Sequence, residues 1–449
     1  MSTAMNSVVA PPNLGPGLLE PPVPAFDRID AALRSDADHT FAAFGTLKLD
    51  SHFQPIFSLA HQRVIGFEAL LRATDHEGRS RTPLEVFGAV HSRADTILLD
   101  RLCRSVHLHN FVQHGTAPAW LFLNVNPQVV VEGKRYGAFF REQLERVNFP
   151  PQRVVVEILE AAFADQDLLT EAVQYYRDLG CLIAIDDFGA GHSNFDRICG
   201  LRPDIVKFDR LIIAQAAVNR SIRSIIPGMV SLLHESGSLV VMEGVESEFE
   251  AMIAMDSDAD FVQGFYFARP EAAPFGANGL PPAFGKLFDQ FRRINAIDRA
   301  GYRSEIAPYI NGIGYSSVML KSGRPLETAC ASFLELPRAQ FCFLLDANGL
   351  QIGSNVYAPH LKVTPPDPRY APINDARGAN WSRRHYFRRA ISQPEKVHVT
   401  RPYLSVTRAT PCLTTSIAFK LDGELRVLCG DVGWDDKHGA MDRTIETQR

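Results

Sequence analysis

Two adjacent carboxylates, Asp186 and Asp187, close the apolar run that begins at Cys181, and the glycine-rich turn Gly189–Gly191 follows at once. The residues 181–185 predict a strand buried on both faces, as in a parallel sheet. Carboxylates at the end of such a strand lie on the C-terminal rim, where α/β proteins place their chemistry. Side by side they repel, so a dry site favours them only with a cation between or beside them. A lone Asp-Asp pair also fits an acidic turn, so the rest of the chain has to decide.

Other apolar runs end in the same manner. Strands are expected at Ser51–Phe57, Val64–Leu70, Trp120–Val125, Arg153–Ile158, Cys181–Asp186, Asp204–Phe208, Ser238–Glu243 and Phe261–Phe267. At or near their ends they carry Gln54, Glu68, Asn124, Glu157, Asp186 with Asp187, Lys207, Glu243 and Gln263. Glu68, Asn124, Glu157, Asp186, Asp187 and Glu243 make a hard-oxygen set suited to Mg²⁺ or Mn²⁺. No His or Cys stands among them, which disfavours zinc. Lys207 would serve as counter-charge or proton acceptor.

These residues converge only if the strands close into a ring. Helix-like stretches at 97–111, 138–147, 168–179, 222–235 and 246–255 separate the later strands. The spacing suits a (β/α)8 barrel, which takes about 250 residues. The turn at His61–Arg63 is too short for a helical crossover, so the first two strands should run antiparallel. The expected class is therefore α/β, a modified (β/α)8 TIM barrel with an antiparallel first strand.

The 449 residues exceed one ordinary domain. A net charge of −5, from 46 basic and 51 acidic residues, argues against a general DNA, RNA or anionic-membrane binder. Seven cysteines (103, 181, 199, 330, 342, 412 and 429) form no CxxC pair and read as reduced core residues of a cytoplasmic protein. No long apolar span or signal-peptide pattern is present, so a soluble chain without a membrane span is expected. Residues 1–25, rich in proline, read as a disordered leader, and residues 26–46 as holding a short helix.

The ordered motifs resemble the EAL domain, a family of bacterial cyclic di-GMP phosphodiesterases. Glu68-Ala69-Leu70-Leu71-Arg72 matches its signature, and FQPI at 53–56, EILE at 157–160 and DDFGAGHSNF at 186–195 follow in order. PDIVKFD at 203–209, EGVE at 243–246 and QGFYFARP at 263–270 complete a match over roughly residues 40–270. The resemblance implies hydrolysis of cyclic di-GMP to linear pGpG with two Mg²⁺ or Mn²⁺ ions. It implies Glu68, Asn124, Glu157 and Asp186 as ligands of one ion, and Asp186, Asp187 and Glu243 as ligands of the other. Lys207, Glu243 and Glu68 would be catalytic, with Lys207 orienting the water. Gln54, Arg72, Asp209, Glu246 and Gln263 would contact substrate, and Glu160 would anchor the 188–195 loop. A homodimer is also implied. Departures at Phe53, Leu159 and the AGHSN loop leave every ligand in place. The alternative is a receptor that binds cyclic di-GMP without cutting it and passes occupancy to a protein partner.

By this division the barrel domain covers 26–280 and a connecting helix 281–304, after Pro274, Pro281 and Pro282. On that helix Phe284, Leu287, Phe288, Phe291, Ile294 and Ile297 share a face. Residues 305–449 form a separate α+β domain. Strands are expected at Gln340–Leu345, Leu350–Ser354, Val397–Tyr403, Leu413–Lys420 and Leu425–Gly430, with a helix at Ser382–Ile391 and a hairpin turn at Asp422-Gly423. The order resembles PAS-like and Cache-type sensor folds. Trp381, Arg384, Tyr386 and Asp431 could line a ligand pocket for an unknown input, or be core aromatics beside a solvated charge pair.

Overall fold

The computed structural model describes residues 26–36, 39–115, 118–125, 129, 139–159, 166–190, 195–274, 283–361, 376–405 and 410–434. The leader 1–25, Glu160, residues 191–194 of the loop, and Pro281 and Pro282 lie outside them. The chain divides into two compact units, one reaching Asp289 and the other starting at Gln290.

The first unit is built on eleven strands: β1 (Leu33–Asp36), β2 (His39–Phe44), β3 (Leu47–Ser58), β4 (Arg63–Thr74), β5 (Ser80–Arg81), β6 (Trp120–Asn124), β7 (Val154–Leu159), β8 (Leu182–Phe188), β9 (Ile205–Phe208), β10 (Leu239–Met242) and β11 (Phe261–Val262). Eight of them close a barrel in the order β3-β4-β6-β7-β8-β9-β10-β11, because β3 pairs with both β4 and β11. Strand β3 is antiparallel to both neighbours, and every other barrel pairing is parallel. The expected modified TIM barrel with its antiparallel first strand is therefore the observed one. Ile56, Phe122, Val155, Ala184, Ile205 and Val241 form one buried cluster from six strands. Such a side-chain-filled centre makes the barrel a packed core rather than a pore.

Helices run at Arg93–Gln113, Phe139–Arg146, Gln166–Leu179, Arg220–Glu235 and Glu248–Asp256, each within a few residues of its expected place. The stretch expected to hold only a short helix holds Phe26–Ala32 and then β1 and β2, which extend the sheet beyond the barrel. Thr40 and Ala42 point inward from β2 while His39 and Phe41 do not, a period-2 alternation. The last barrel strand is short: after Val262 the chain turns, since Gly264 packs directly on the backbone of Val245.

One helix, Ala283–Lys321, carries the chain from one unit into the other. The second unit holds an antiparallel sheet of β12 (Ala339–Leu345), β13 (Gln351–Tyr357), β14 (His398–Val399), β15 (Tyr403–Leu404), β16 (Pro411–Leu421) and β17 (Glu424–Gly433), in the order β13-β12-β17-β16-β14 with β15 also on β16. Asp422 and Gly423 both have positive φ (51° and 84°), as a two-residue type I′ hairpin requires. Helix His385–Ser392 buries Tyr386, Phe387 and Ala390 against Phe341, Phe343, Ala418 and Val427.

Candidate active site

Parallel register places the acidic residues side by side at one rim. Asn124 stands opposite Glu157, and Leu159 opposite Asp186, so β6, β7 and β8 deliver their polar ends at successive steps around the ring. Across the antiparallel pair, Gln54 on β3 faces Glu68 on β4. Glu243 and Gln263 immediately follow β10 and β11, and their backbone amides donate to Phe208 and Met242 carbonyls at 3.3 and 2.9 Å.

Lys207 sits at the middle, 0% exposed. Its Nζ lies 2.5 Å from Glu243 Oε1, 3.3 Å from Asp186 Oδ1 and 3.8 Å from Glu68 Oε2, and it also contacts Glu157. Burial opposes a charged ammonium, but Asp186, Glu157, Glu243 and Glu68 outweigh it and hold the Lys207 pKa well above its ordinary value. Burial pushes the Glu157 and Glu243 carboxyls up, with Lys207 as the main opposing charge. Asp187 is pushed up to about 6, first by burial and then by Asp186 and Asp209. Its φ of 56° is left-handed, an unusual backbone for a non-glycine residue at a strand end.

Amides fix the carboxylates. Glu68 Oε1 accepts from Asn124 Nδ2 at 3.0 Å, and its Oε2 accepts from Gln263 Nε2 at 2.7 Å. Gln263 Nε2 also reaches Gln54 Oε1 at 3.2 Å, and Gln54 Nε2 donates to the Ala268 carbonyl at 3.3 Å. Oxygens of Glu68, Glu157 and Glu243 lie within 4.8 Å of one another. Glu157 Oε1 and Glu243 Oε1 are buried against Lys207 Nζ, and Glu157 Oε2 has no hydrogen-bond partner among the described residues. Buried anionic oxygens that share a single lysine, all hard in character, fit a hard divalent cation.

The other expected residues stand around this cluster. Arg72 is half-buried on β4, opposite Asp50, and its Nη1 donates to the Leu71 carbonyl at 3.0 Å. Asp209 caps the helix Arg210–Val218, accepting from Leu211 N at 2.8 Å, and is also a charged neighbour of Asp187. Glu246 is exposed, and its amide donates to Glu250 at 2.7 Å beside the Ser247 capping box. Neither Asp209 nor Glu246 touches Lys207. Two residues near Arg72 escape sequence reasoning: His52, whose pKa is lowered by burial and by Arg72, and Asp50, bonded to His39 at 2.5 Å. The two-residue spacing 50–52–54 on one face of β3 is the signal that marks them.

Fold and site together define a β/α barrel with an acidic, lysine-centred mouth suited to divalent cations. Residues 41–270 match the EAL domain family, and the chain belongs to that family. An uncharacterized protein of Azorhizobium caulinodans is 31% identical over 53% of this chain and 33% of its own length. The cyclic di-GMP phosphodiesterase RocR of Pseudomonas aeruginosa is 26% identical over 50% of this chain and 57% of its own. In each case the match spans less than two thirds of the relative. The Bacillus subtilis YkuI protein, with an EAL domain and solved in complex with substrate cyclic di-GMP and calcium, superposes with a TM-score of 0.72 at 21% identity. That likeness of fold covers 86% of this chain and 96% of the other, so it reaches past the barrel into the second unit. Among the described residues no helix is long and apolar enough to cross a membrane.

Proposed function

We propose that this chain hydrolyses cyclic di-GMP to linear pGpG at the barrel mouth, with two divalent cations, under the influence of its C-terminal unit. The observation that carries the reading is the crowding of buried Glu68, Glu157 and Glu243 oxygens within 4.8 Å of one another around one lysine, with Glu68 held by two amides. Glu68, Asn124, Glu157 and Asp186 would hold one ion, and Asp186, Asp187 and Glu243 the other. Bound there, such ions lower the pKa of a water and neutralise charge developing on the phosphate.

The chain's own residues orient the reaction. The Asn124 and Gln263 amides, the latter shared with Gln54, set Glu68 in one rotamer before substrate arrives, which is preorganisation rather than induced order. Lys207, kept protonated by the carboxylates around it, is a donor to an attacking water or a phosphate oxygen; it is poorly suited to be the base. Arg72 makes no ion pair among the described residues, and its planar fork suits two phosphate oxygens. Asp209, Glu246, Gln54 and Gln263 frame the nucleotide in this reading, and Glu160 steadies the loop. A water oxygen bonds to phosphorus, the bond to the ribose 3′ oxygen breaks, and that oxygen leaves with a proton.

The antiparallel sheet and flanking helix of the second unit support a PAS- or Cache-like sensor, and the proposal includes a homodimer, as the resemblance of the barrel to EAL domains implies. The proposal places the chain in the cytoplasm, as the scattered cysteines without a CxxC pair suggest. Incubating the full chain with cyclic di-GMP and Mg²⁺ or Mn²⁺, with EDTA as control, tests the proposal. Metal-dependent pGpG supports it; tight binding without product would establish the non-hydrolysing receptor instead.

A further inference from the structure

Strand β3 runs against both of its barrel neighbours, so its first half leaves the ring at the rim where the parallel strands end. Strand β4 pairs with β6 only as far as Ala69, yet it continues to Thr74. Residues 48–53 of β3 and 69–74 of β4 therefore form a two-stranded ribbon that rises past the acidic cluster. Side chains alternate between its faces. Leu49, Ser51, Phe53, Leu71 and Ala73 are buried on one face, while Asp50, His52, Leu70 and Arg72 are only half-buried on the other. That second face continues the one carrying Gln54 and Glu68. Three rungs thus climb from the cluster: Gln54 with Glu68, His52 with Leu70, and Asp50 with Arg72.

The rungs differ in what they offer. Asp50 is already engaged, bonded to His39 Nε2 at 2.5 Å and accepting from the Ser51 amide at 2.7 Å. Arg72 lies within the field of the Glu68 carboxylate, which favours its charged form. His52 stands between Glu68 and Arg72 on the ladder, its ring hydrogen-bonded to the backbone of Pro270. That backbone is held in turn, because Phe53 and Glu271 exchange bonds at 2.7 and 3.1 Å. Burial and Arg72 keep the His52 pKa below the ordinary 6.5, so the imidazole is neutral at pH 7. A neutral imidazole carries one N–H and one bare nitrogen. With the N–H on the Pro270 carbonyl, the bare nitrogen is an acceptor that no donor among the described residues reaches.

We infer that His52 accepts the ribose 2′-hydroxyl of the cyclic dinucleotide and makes the site selective for a ribose backbone over a deoxyribose one. The inference deepens the proposed function and rests on it. A cyclic dinucleotide alternates phosphate and ribose, and the ladder alternates in the same order: acidic cluster, His52, Arg72. Neighbouring rungs stand about 7 Å apart along the strands, so a sugar joined to a phosphate at the first rung reaches the second. A bare imidazole nitrogen suits a neutral hydroxyl donor, whereas a phosphate oxygen there would meet a lone pair. Leu70, across from His52, gives the sugar carbons an apolar contact. A deoxyribose would leave the His52 nitrogen without its partner under the bound nucleotide.

The test is steady-state hydrolysis, by the full chain with Mg²⁺ or Mn²⁺, of cyclic di-GMP and of its bis-2′-deoxy analogue. Parent, His52→Phe and His52→Gln are compared, each checked for unchanged melting. Phenylalanine keeps a flat ring without an acceptor, and glutamine keeps an acceptor oxygen. The parent should prefer the ribose substrate by about tenfold in kcat/KM, the scale of one hydrogen bond. His52→Phe should lose about tenfold on cyclic di-GMP and little on the deoxy analogue, so that the preference disappears. His52→Gln should keep most of it. A parent without the preference overturns the inference, as does a preference undiminished in His52→Phe. Equal loss in the phenylalanine and glutamine variants would show packing alone and overturns it too. Altered discrimination against cyclic di-AMP, with the ribose preference intact, would move His52 to the base and overturn the sugar contact. No hydrolysis of either substrate by the parent overturns the functional reading, and this inference with it, whereas hydrolysis without the ribose preference removes this inference alone.

Discussion

Lys207 Nζ and Glu243 Oε1 lie 2.5 Å apart at the ends of neighbouring strands, with no solvent exposure of the lysine. Three more carboxylates surround the same ammonium. Before any ion binds, Lys207 is therefore the charge that lets this acidic ring exist inside the barrel. Lys207→Met leaves four carboxylates around an apolar tip. Breaking a buried ion pair costs about 3–5 kcal/mol. The melting temperature in EDTA should fall sharply, and Mg²⁺ should recover more stability in the variant than in the parent. Equal recovery in both would show that the lysine and the ions do not share this site.

Arg72 is held by one backbone carbonyl and is otherwise free to meet a phosphate. Arg72→Lys keeps the charge and removes the fork. Its loss should appear mainly as a KM for cyclic di-GMP raised about tenfold, corresponding to about 1.4 kcal/mol, with melting unchanged. Steady-state kinetics and a thermal melt decide this together.

Gly264 shows what fixes Gln263. A methyl group on Gly264 would sit 2.1 Å from the Val245 carbonyl oxygen, and Val245 is itself bonded to Gln263 and Tyr266. Backbone on backbone leaves no easy relief, so Gly264→Ala should cost at least the overpacking range of about 1–3 kcal/mol. It should also displace the Gln263 amide from Glu68. Denaturant melts and turnover should both suffer; a stable, fully active variant would contradict the contact.

Asp431 gives the C-terminal unit a pH signature. Burial raises its carboxyl from 3.8 to about 7 in the fold, opposed by the Thr414 hydroxyl, then the Cys412 thiol, then Arg384, with Cys429, Tyr386 and Tyr403 also facing it. The unfolded chain ionises first, so the stabilisation is complete below about pH 4, declines as pH rises, and is gone above about pH 7. A rise of that size sets an upper limit of about 4 kcal/mol on the effect. Urea melts of the unit's transition should flatten over this window in Asp431→Asn. An unchanged slope would mean that other groups carry it.

Much of the barrel was legible because strand ends speak twice, once through β-branched apolar runs and once through the polar residue that stops each run. Glu68, Asn124, Glu157, Asp186, Lys207, Glu243 and Gln263 reach one rim because parallel register leaves them little alternative. The antiparallel β3 followed from a loop too short to cross over. Strands β1 and β2 were hidden, since residues 33–44 mix polar and apolar side chains without a long apolar run and, among the described residues, fully bury only Thr40 and Ala42. The last barrel strand was overread, because the apolar run Phe265–Phe267 packs as a turn once Gly264 meets Val245. Asp209 and Glu246 show the other limit: a motif gives their identity, while their helix-end hydrogen bonds are set by packing that no spacing encodes.

The central claim is that the acidic ring performs metal-dependent hydrolysis. It is tested most directly by incubating cyclic di-GMP with the intact chain and with Glu68→Ala, each with and without Mg²⁺ or Mn²⁺, and resolving the products. Glu68 ties Asn124 and Gln263 together and lies 3.8 Å from Lys207. The account predicts pGpG from the intact chain only with metal, and at least a hundredfold less from a folded Glu68→Ala protein. Metal-independent product, or product undiminished in the variant, would contradict it.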